Sequence, residues 1–347
     1  MTLQSIADRV GVSRMTVSNA FSRPDQLSES MRERILATAQ ELGYGGPDPA
    51  ARTLARGASG AIGVVLTDSL SYAFSDAVAT SFLGAVAGVL EPRGMALTLI
   101  SLARATATAP HLDVAIDGAI VYSVDADSLV LPWLRARAVP LVLVDQRPVD
   151  DASTINVHDR SGARAVARHL LRLGHRRIGI ITEGLTAPYD TIVEADARTQ
   201  HYVIAERLGG WLDALNPRHI QPKIVNLYRN SLDDACRAAS LLLSSTPQPT
   251  ALICVSDLMA AGACRAVSEQ GLRVPEDVSV VGFDDAPIAT QGTPALTTVR
   301  QPYAAKGRLA AQALMRALVQ DNAPSHIVLD TELVVRQSTA KPAPNKS

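Results

Sequence analysis

The chain has 347 residues, 47% of them hydrophobic and 19% charged, with a formal net charge of −1. That length exceeds what one compact domain usually holds and suggests two or three units, while the near-zero charge gives no global sign of a nucleic-acid partner. No run of about 18 apolar residues occurs, so no membrane-spanning helix is expected, and the first residues lack a basic stretch followed by an apolar one, so no secretory leader is expected either. Taken in chain order, residues 5–10 put Ile6, Ala7 and Val10 on one helical face. Gly11 suits a left-handed helix end, and Ser13 suits the N-cap of a second helix over Arg14–Phe21. After the polar turn SRPDQLS, Ser28 or Ser30 caps a third helix. Met31, Ile35, Ala39 and Leu42 recur in it at helical spacing, and Gly43 ends it. Residues 45–60 carry one short helical candidate, with Asp48 as N-cap and Pro49 at the first helical position. Barely two turns long, it is marginal alone.

From Ala61 the texture changes to apolar strands alternating with helices. Strands are expected at 61–67, 95–101, 118–124, 140–145, 177–182, 223–227, 251–256 and 278–284. Helices are expected at 76–93, 160–173, 207–215, 232–244 and 258–270. Continuous apolar strands between helices imply buried parallel sheets. The strands fall into two groups split near residue 160, each a doubly wound half that would bind ligands at its strand ends. The three cysteines, Cys236, Cys254 and Cys264, form no C-x-x-C pair and read as free thiols in a reducing compartment.

The segment Arg14–Phe21 is either a packing helix or a reading head for DNA. Ala7, Gly11 and Val17 have the spacing a tight helix pair needs. Arg14, Met15, Ser18 and Asn19 are its outward positions, where Arg can fork onto guanine and Asn onto adenine. The hydroxyls of Ser13, Thr16 and Ser18 suit phosphates. Local charge does not decide, because residues 1–56 hold seven arginines against six acidic residues. The short 45–60 segment helps. Leu54 is either a packing contact or a wedge between base steps in the minor groove, with Arg52 and Arg56 facing phosphates.

These stretches together resemble the LacI/GalR (lactose-repressor) family across residues 2–339. The resemblance is carried by TLQSIADRVGVSRMTVSNAF, ELGYGGPDPAARTLARG, LGHRRIGII, SDLMAAGACRAVSEQGLRVPEDVSVVGFDDAP and LTTVRQP. It implies an α/β protein with an N-terminal all-α helix-turn-helix domain and hinge helix. A two-lobed periplasmic-binding-protein-like core of doubly wound parallel sheets follows. The expected boundaries are 1–46 for the DNA-binding domain, 47–60 for the hinge and 61–340 for the core. The first lobe would take 61–159 plus 293–322 and the second 160–292 plus 323–340, with 341–347 a disordered tail. The resemblance further implies a homodimer on a palindromic operator, most often as a repressor, and the missing leader and membrane span lead us to expect it in the cytoplasm. Base specificity would fall to Arg14, Met15 and Asn19, and Leu54 would be the intercalating leucine.

For the effector, the resemblance points to Arg207, to Asp257 (which also suits an N-cap), and to Asp145 and Gln301 as pocket-facing positions. Phe74 matches part of an aromatic pair that covers the ligand. SYAFSD departs from the usual Asn-Pro-Phe-Phe, which makes Tyr72 and Asp76 lining candidates. An arginine, two aspartates and a glutamine demand a polyhydroxylated or amphoteric molecule, of the sugar or nucleoside class. Residues 184–206 exceed the usual connection and form either a lid or a surface loop; His201 and Tyr202 line the pocket only in the first case. Asn230 falls near where relatives carry a stacking aromatic. Asp284 and Asp285 read as structural, and so does His175. No cofactor, metal site or catalytic group is expected: GASGAIG precedes a strand instead of following one, His158 and Asp159 lack a third ligand, and no Gly-x-Ser-x-Gly elbow occurs. The rival reading is a cytoplasmic small-molecule binding protein without regulatory DNA binding.

Overall fold

A computed structural model of the chain describes residues 2–46, 57–103, 114–125, 128–193, 198–319 and 323–344. The expected hinge helix, with Asp48, Pro49, Arg52, Leu54 and Arg56, lies outside the described residues, as do residues 345–347 of the expected tail. The chain divides into two units, Met1–Gly60 and Ala61–Ser347.

The first unit holds α1 (Leu3–Val10), α2 (Arg14–Ser22) and α3 (Glu29–Glu41). Their apolar faces meet in one small core of Ile6, Ala7, Val10, Val17, Ala20, Ile35 and Ala39. Burying an isoleucine of this kind stabilises by roughly 1.5–3 kcal/mol. Gly11 makes the turn at φ +77°, and the N–H groups of Gly11 and Val12 both donate to the Ala7 carbonyl, at 2.9 and 3.0 Å. A side chain at that φ would strain the turn. The hydroxyls of Thr2 and Ser13 cap α1 and α2 by accepting from the Ser5 and Thr16 N–H groups. Ser28 precedes α3, but its hydroxyl makes no cap bond. The Arg34 guanidinium ties α3 to the Val10 carbonyl at 2.9 Å.

The second unit has two lobes. In the first, β1 (Ala61–Leu66), β2 (Ala96–Ser101), β3 (Gly118–Tyr122), β4 (Leu141–Val144), β5 (Ser153–Val157) and β12 (His326–Leu329) form a parallel sheet ordered β12-β5-β4-β3-β1-β2. In the second, β6 (Ile178–Glu183), β7 (Ile192–Val193), β8 (Lys223–Leu227), β9 (Ala251–Cys254) and β10 (Ser279–Val281) are ordered β10-β9-β6-β8-β7, with β7 antiparallel. Helices cover both sheets: α4 (Leu70–Ser75), α5 (Ala77–Leu90), α6 (Val130–Ala136) and α12 (Tyr303–Val319) in the first lobe, and α7 (Asp159–Leu173), α8 (Tyr202–Leu215), α9 (Leu232–Leu243), α10 (Asp257–Glu269) and α11 (Ile288–Gln291) in the second. Strands covered on both faces explain the near-continuous apolar runs.

The chain crosses between lobes three times: after β5, between β11 (Thr298–Arg300) and α12, and between β12 and β13 (Glu332–Val334), which pairs with β11. Two expected lobe assignments are thereby corrected. Leu296 and Val299 sit in the second lobe's core, although the sequence puts 293–322 in the first. β12 pairs with β5 in the first sheet, although the sequence puts 323–340 in the second lobe. Strands of three or four residues carry no readable periodicity, and their partners lie far away in sequence.

Candidate functional site

Two places combine exposed or convergent polar groups. On the first unit, Ser13, Arg14 and Met15 are exposed at the start of α2, while Thr16, Ser18 and Asn19 are half-buried beside them. Met15 is 69% exposed and takes no part in the unit's core. Ser13 and Thr16 are already bonded to each other, Oγ to Oγ1 at 2.9 Å. The Asn19 Nδ2 donates to Gln26 Oε1 at 3.1 Å, which orients the amide and leaves its oxygen as an acceptor.

The second place is a cleft between the two lobes of the core, at the carboxyl ends of β1, β3, β4, β6 and β9. It encloses a cavity of about 140 Å³. Tyr72, Asp76, Asp145, Arg207 and Gln301 all line it. Arg207, on α8, is buried; its Nε donates to Asp159 Oδ1 at 2.8 Å and its Nη1 to the Val255 carbonyl at 2.6 Å. Nη1 also stands 3.5 Å from Asp284, and the guanidinium carbon lies 3.6 Å from the centre of the Phe283 ring. Its Nη2 has no hydrogen-bond partner among the described residues. Lys306 Nζ donates to Asp145 Oδ2 at 2.5 Å, deep in the first lobe.

A chain of hydrogen bonds joins the lobes. Asn230 Nδ2 donates to the Tyr72 hydroxyl at 2.8 Å, and that hydroxyl donates to Asp76 Oδ2 at 3.3 Å. On the other side, the Ser256 hydroxyl donates to Asn230 Oδ1 at 2.7 Å. Ser123, Asp145 and Asp284 sit at positive φ of 52°, 56° and 120°. Their N–H groups are held by the Val144, Ile155 and Val299 carbonyls. Backbone of this kind costs about 1–3 kcal/mol per residue and clusters at functional sites.

Three buried polar atoms on cleft residues have no partner among the described residues: Asp145 Oδ1, Gln301 Oε1 and His201 Nδ1. Buried polar groups are otherwise almost always paired. The carboxyls are perturbed as well. Burial, and then Asp68, push Glu183 up to about 8. Burial raises Asp284 to about 6 against the opposing pull of Arg207. Burial lowers the His201 imidazole.

The structure does not bring every candidate together. Phe74 is 65% exposed and points out of the cleft, while its neighbours Tyr72 and Ala73 line it. Asp257 is fully buried and is not the N-cap of α10; Ser256 is, and Ser256 faces the cleft. Asp257 Oδ2 accepts from the Ala286 N–H at 2.8 Å and Oδ1 from the Thr298 hydroxyl at 2.5 Å, so its carboxyl ties α10 to the crossover strand. A Cβ on Gly282 would fall 2.2 Å from Oδ1, so only glycine leaves room for it. Asp285 is structural, paired with Arg300 at 2.7 Å and Arg336 at 2.5 Å, but Asp284 lines the cleft, against the sequence reading. Within residues 184–206, β7 extends the second sheet as an edge strand, and the segment's end delivers His201, but not Tyr202, to the cleft. Asp68, Ser123, Glu183 and Asn230 also line the cleft.

A helix-turn-helix unit on a two-lobed parallel-sheet core with a polar interlobe cleft defines an effector-responsive DNA-binding regulator. Comparison with known proteins agrees. Residues 2–46 match the family model for bacterial regulatory proteins of the lacI family, and residues 167–339 the one for a periplasmic-binding-protein-like domain. An HTH-type transcriptional regulator of Mycobacterium tuberculosis is 38% identical, covering 99% of this chain and 98% of that one. The lac repressor dimer bound to operator and the anti-inducer ONPF is similar at 26% identity and a TM-score of 0.77, over 98% of this chain and 99% of that one. The transcriptional regulator CelR in complex with cellobiose is similar at 26% identity and a TM-score of 0.68, over 97% and 99%. The chain belongs to the LacI family: it is a DNA-binding transcriptional regulator with an effector-binding domain, not an enzyme.

Proposed function

We propose that the protein is a cytoplasmic repressor that binds a palindromic operator as a homodimer and answers to a small polyhydroxylated effector of the sugar or nucleoside class. Each α2 would enter a major groove with its first turn toward the bases. There Arg14 and Asn19 offer forked hydrogen bonds, and Met15 an apolar contact for a thymine methyl. Ser13, Thr16, Ser18, Arg52 and Arg56 would hold phosphates, and Leu54 would open a base step between the half-sites. In the core, the effector would occupy the interlobe cleft, contacting Arg207, Asp145, Gln301, Tyr72 and Asp76. The observation that carries this reading is the set of buried, unpartnered polar atoms on Asp145, Gln301 and His201, all within one cleft. The cellobiose complex of CelR supports a sugar in the corresponding role.

An effector bridging the two lobes would favour one lobe geometry and so bias DNA affinity, a coupling of typically ~1–3 kcal/mol. Mobility-shift assays against genomic fragments, with and without a panel of sugars and nucleosides, test this. Sequence-specific binding altered by one of these compounds is expected. Small-molecule binding without any sequence-specific DNA binding would favour the rival, a binding protein with no regulatory role.

A further inference from the structure

The charges in the cleft do not balance. Among the described lining residues the only lysine or arginine is Arg207, engaged with Asp159 and Asp284; Lys306, buried and outside the lining, is engaged with Asp145. Asp68, at the end of β1 on the first lobe, and Glu183, at the end of β6 on the second, have no hydrogen bond or ion pair to their carboxylates among the described residues, yet both line the cleft. Among the described residues, the carboxylate of Asp76, near Asp68, accepts from the Ala79 N–H at 2.7 Å and the Tyr72 hydroxyl and pairs with no cation. An acid-rich cleft that lacks a counter-charge is poised for a positively charged guest.

A second feature points the same way. Asp145 and Gln301 are only 4% and 5% exposed, both line the same cleft, and each keeps one oxygen without a partner among the described residues. Both are acceptors, so the missing partner must donate hydrogen bonds. A metal ion is a poor fit, since no group of three His, Cys, Asp or Glu side chains among the described residues could hold one. The positive charge must therefore arrive on the ligand.

Resting on the effector reading above, we propose that the effector is a polyhydroxylated molecule carrying a protonated amine, seated between Asp68 and Glu183, and that this cation draws the two lobes together. The hydroxyls satisfy Asp145 and Gln301, while the ammonium supplies the counter-charge that lets Glu183 ionise opposite Asp68. Phosphorylated and carboxylated analogues are rejected, because they bring no positive charge to Asp68 and Glu183 and the lining's one arginine is already engaged by Asp159 and Asp284. Binding also moves a proton. Glu183 faces Asp68 and Asp76 from the first lobe and Asp284 and Arg207 from its own, with burial raising its carboxyl to about 8. At neutral pH it holds a proton that an adjacent ammonium expels. Uptake of the amine thus releases a proton, and affinity rises with pH until the amine loses its own.

The test is calorimetry on the full-length protein with matched neutral, amine-bearing and carboxylate-bearing versions of glucose, galactose and mannose. Runs in two buffers of different ionisation enthalpy count the protons released. An amine member is expected to bind at least tenfold more tightly than its neutral counterpart, with proton release, and the carboxylate members not at all. The double variant D68N/E183Q is expected to lose that preference, and an unreduced melting temperature verifies its fold. Equal affinity for a neutral member, no binding by any amine member, or an unchanged preference in the double variant would each overturn the proposal. Operator release by a neutral sugar would leave the regulator reading standing while the amine inference fails.

Discussion

Glu183→Gln tests the electrostatics of the cleft without needing a ligand. Burial and Asp68 raise the Glu183 carboxyl from 4.5 to about 8 in the folded chain. The folded state therefore keeps a proton that the unfolded state has lost. Below the unfolded value the group does not favour unfolding. As pH rises above it, stability falls by about 1.4 kcal/mol per pH unit and levels off once the folded group also ionises, near 8. The full interval corresponds to roughly 4–5 kcal/mol. Because Glu183 borders a cleft open to water, roughly 1–2 kcal/mol is the realistic loss. Glutamine does not titrate. The variant should melt like the parent near pH 5 and a few degrees higher near pH 8, at about 2–4 °C per kcal/mol for a core of this size. Calorimetric melting across that range reads the difference directly. A gap that stays constant with pH, or one that narrows as pH rises, would refute the reasoning.

Other substitutions separate structural from functional roles. Asp257→Ala strips the acceptor from the Ala286 N–H and the Thr298 hydroxyl; denaturant unfolding should show a loss of about 2–4 kcal/mol. Effector affinity of the protein that remains folded should be unchanged, and a stable variant that no longer binds effector would restore Asp257 to the site. Met15→Ala should weaken operator binding by roughly 1 kcal/mol and relax preference for thymine at one half-site position, as read by binding to a substituted operator series. A uniform loss across the series would make Met15 a non-specific contact. For Leu54→Ala, footprinting should show a weakened central contact while calorimetric effector affinity stays within twofold; the reverse pattern would remove Leu54 from the wedge role.

Much of the architecture was legible because its signals are local. The apolar runs around Val64, Ile120, Leu143 and Ile180 are buried on both faces and stand out by composition alone. Gly11 and Ser13 announce a helix end and a helix start. The crossover elements were not legible. β11, β12 and β13 are short, and β12 finds its partner β5 more than 160 residues back in the chain. In the cleft, Arg207, Asp145 and Gln301 could be placed by resemblance, but Asp68 and Glu183 could not. A lone carboxylate at a strand end carries no pattern, although the rule that ligands bind at the carboxyl ends of strands would have singled out the residues after Leu66 and Thr182. Asp257 misled because Ser256 and Asp257 are both good capping residues. Only the packing of Gly282 and Thr298 shows which of the two turns inward.

The proposed regulation is one coupling, between DNA that α2 would hold and a small molecule that the interlobe cleft would hold. The most direct measurement is operator affinity of the full-length protein, by mobility shift, titrated with an effector found by calorimetry, for the parent and for Arg207→Ala. The parent should bind one DNA sequence specifically and change its affinity by 5- to 150-fold or so when effector is added. Arg207→Ala should bind the same sequence and not respond. Sequence-specific binding that ignores every ligand bound in the cleft, or a response that survives the loss of Arg207, would contradict it.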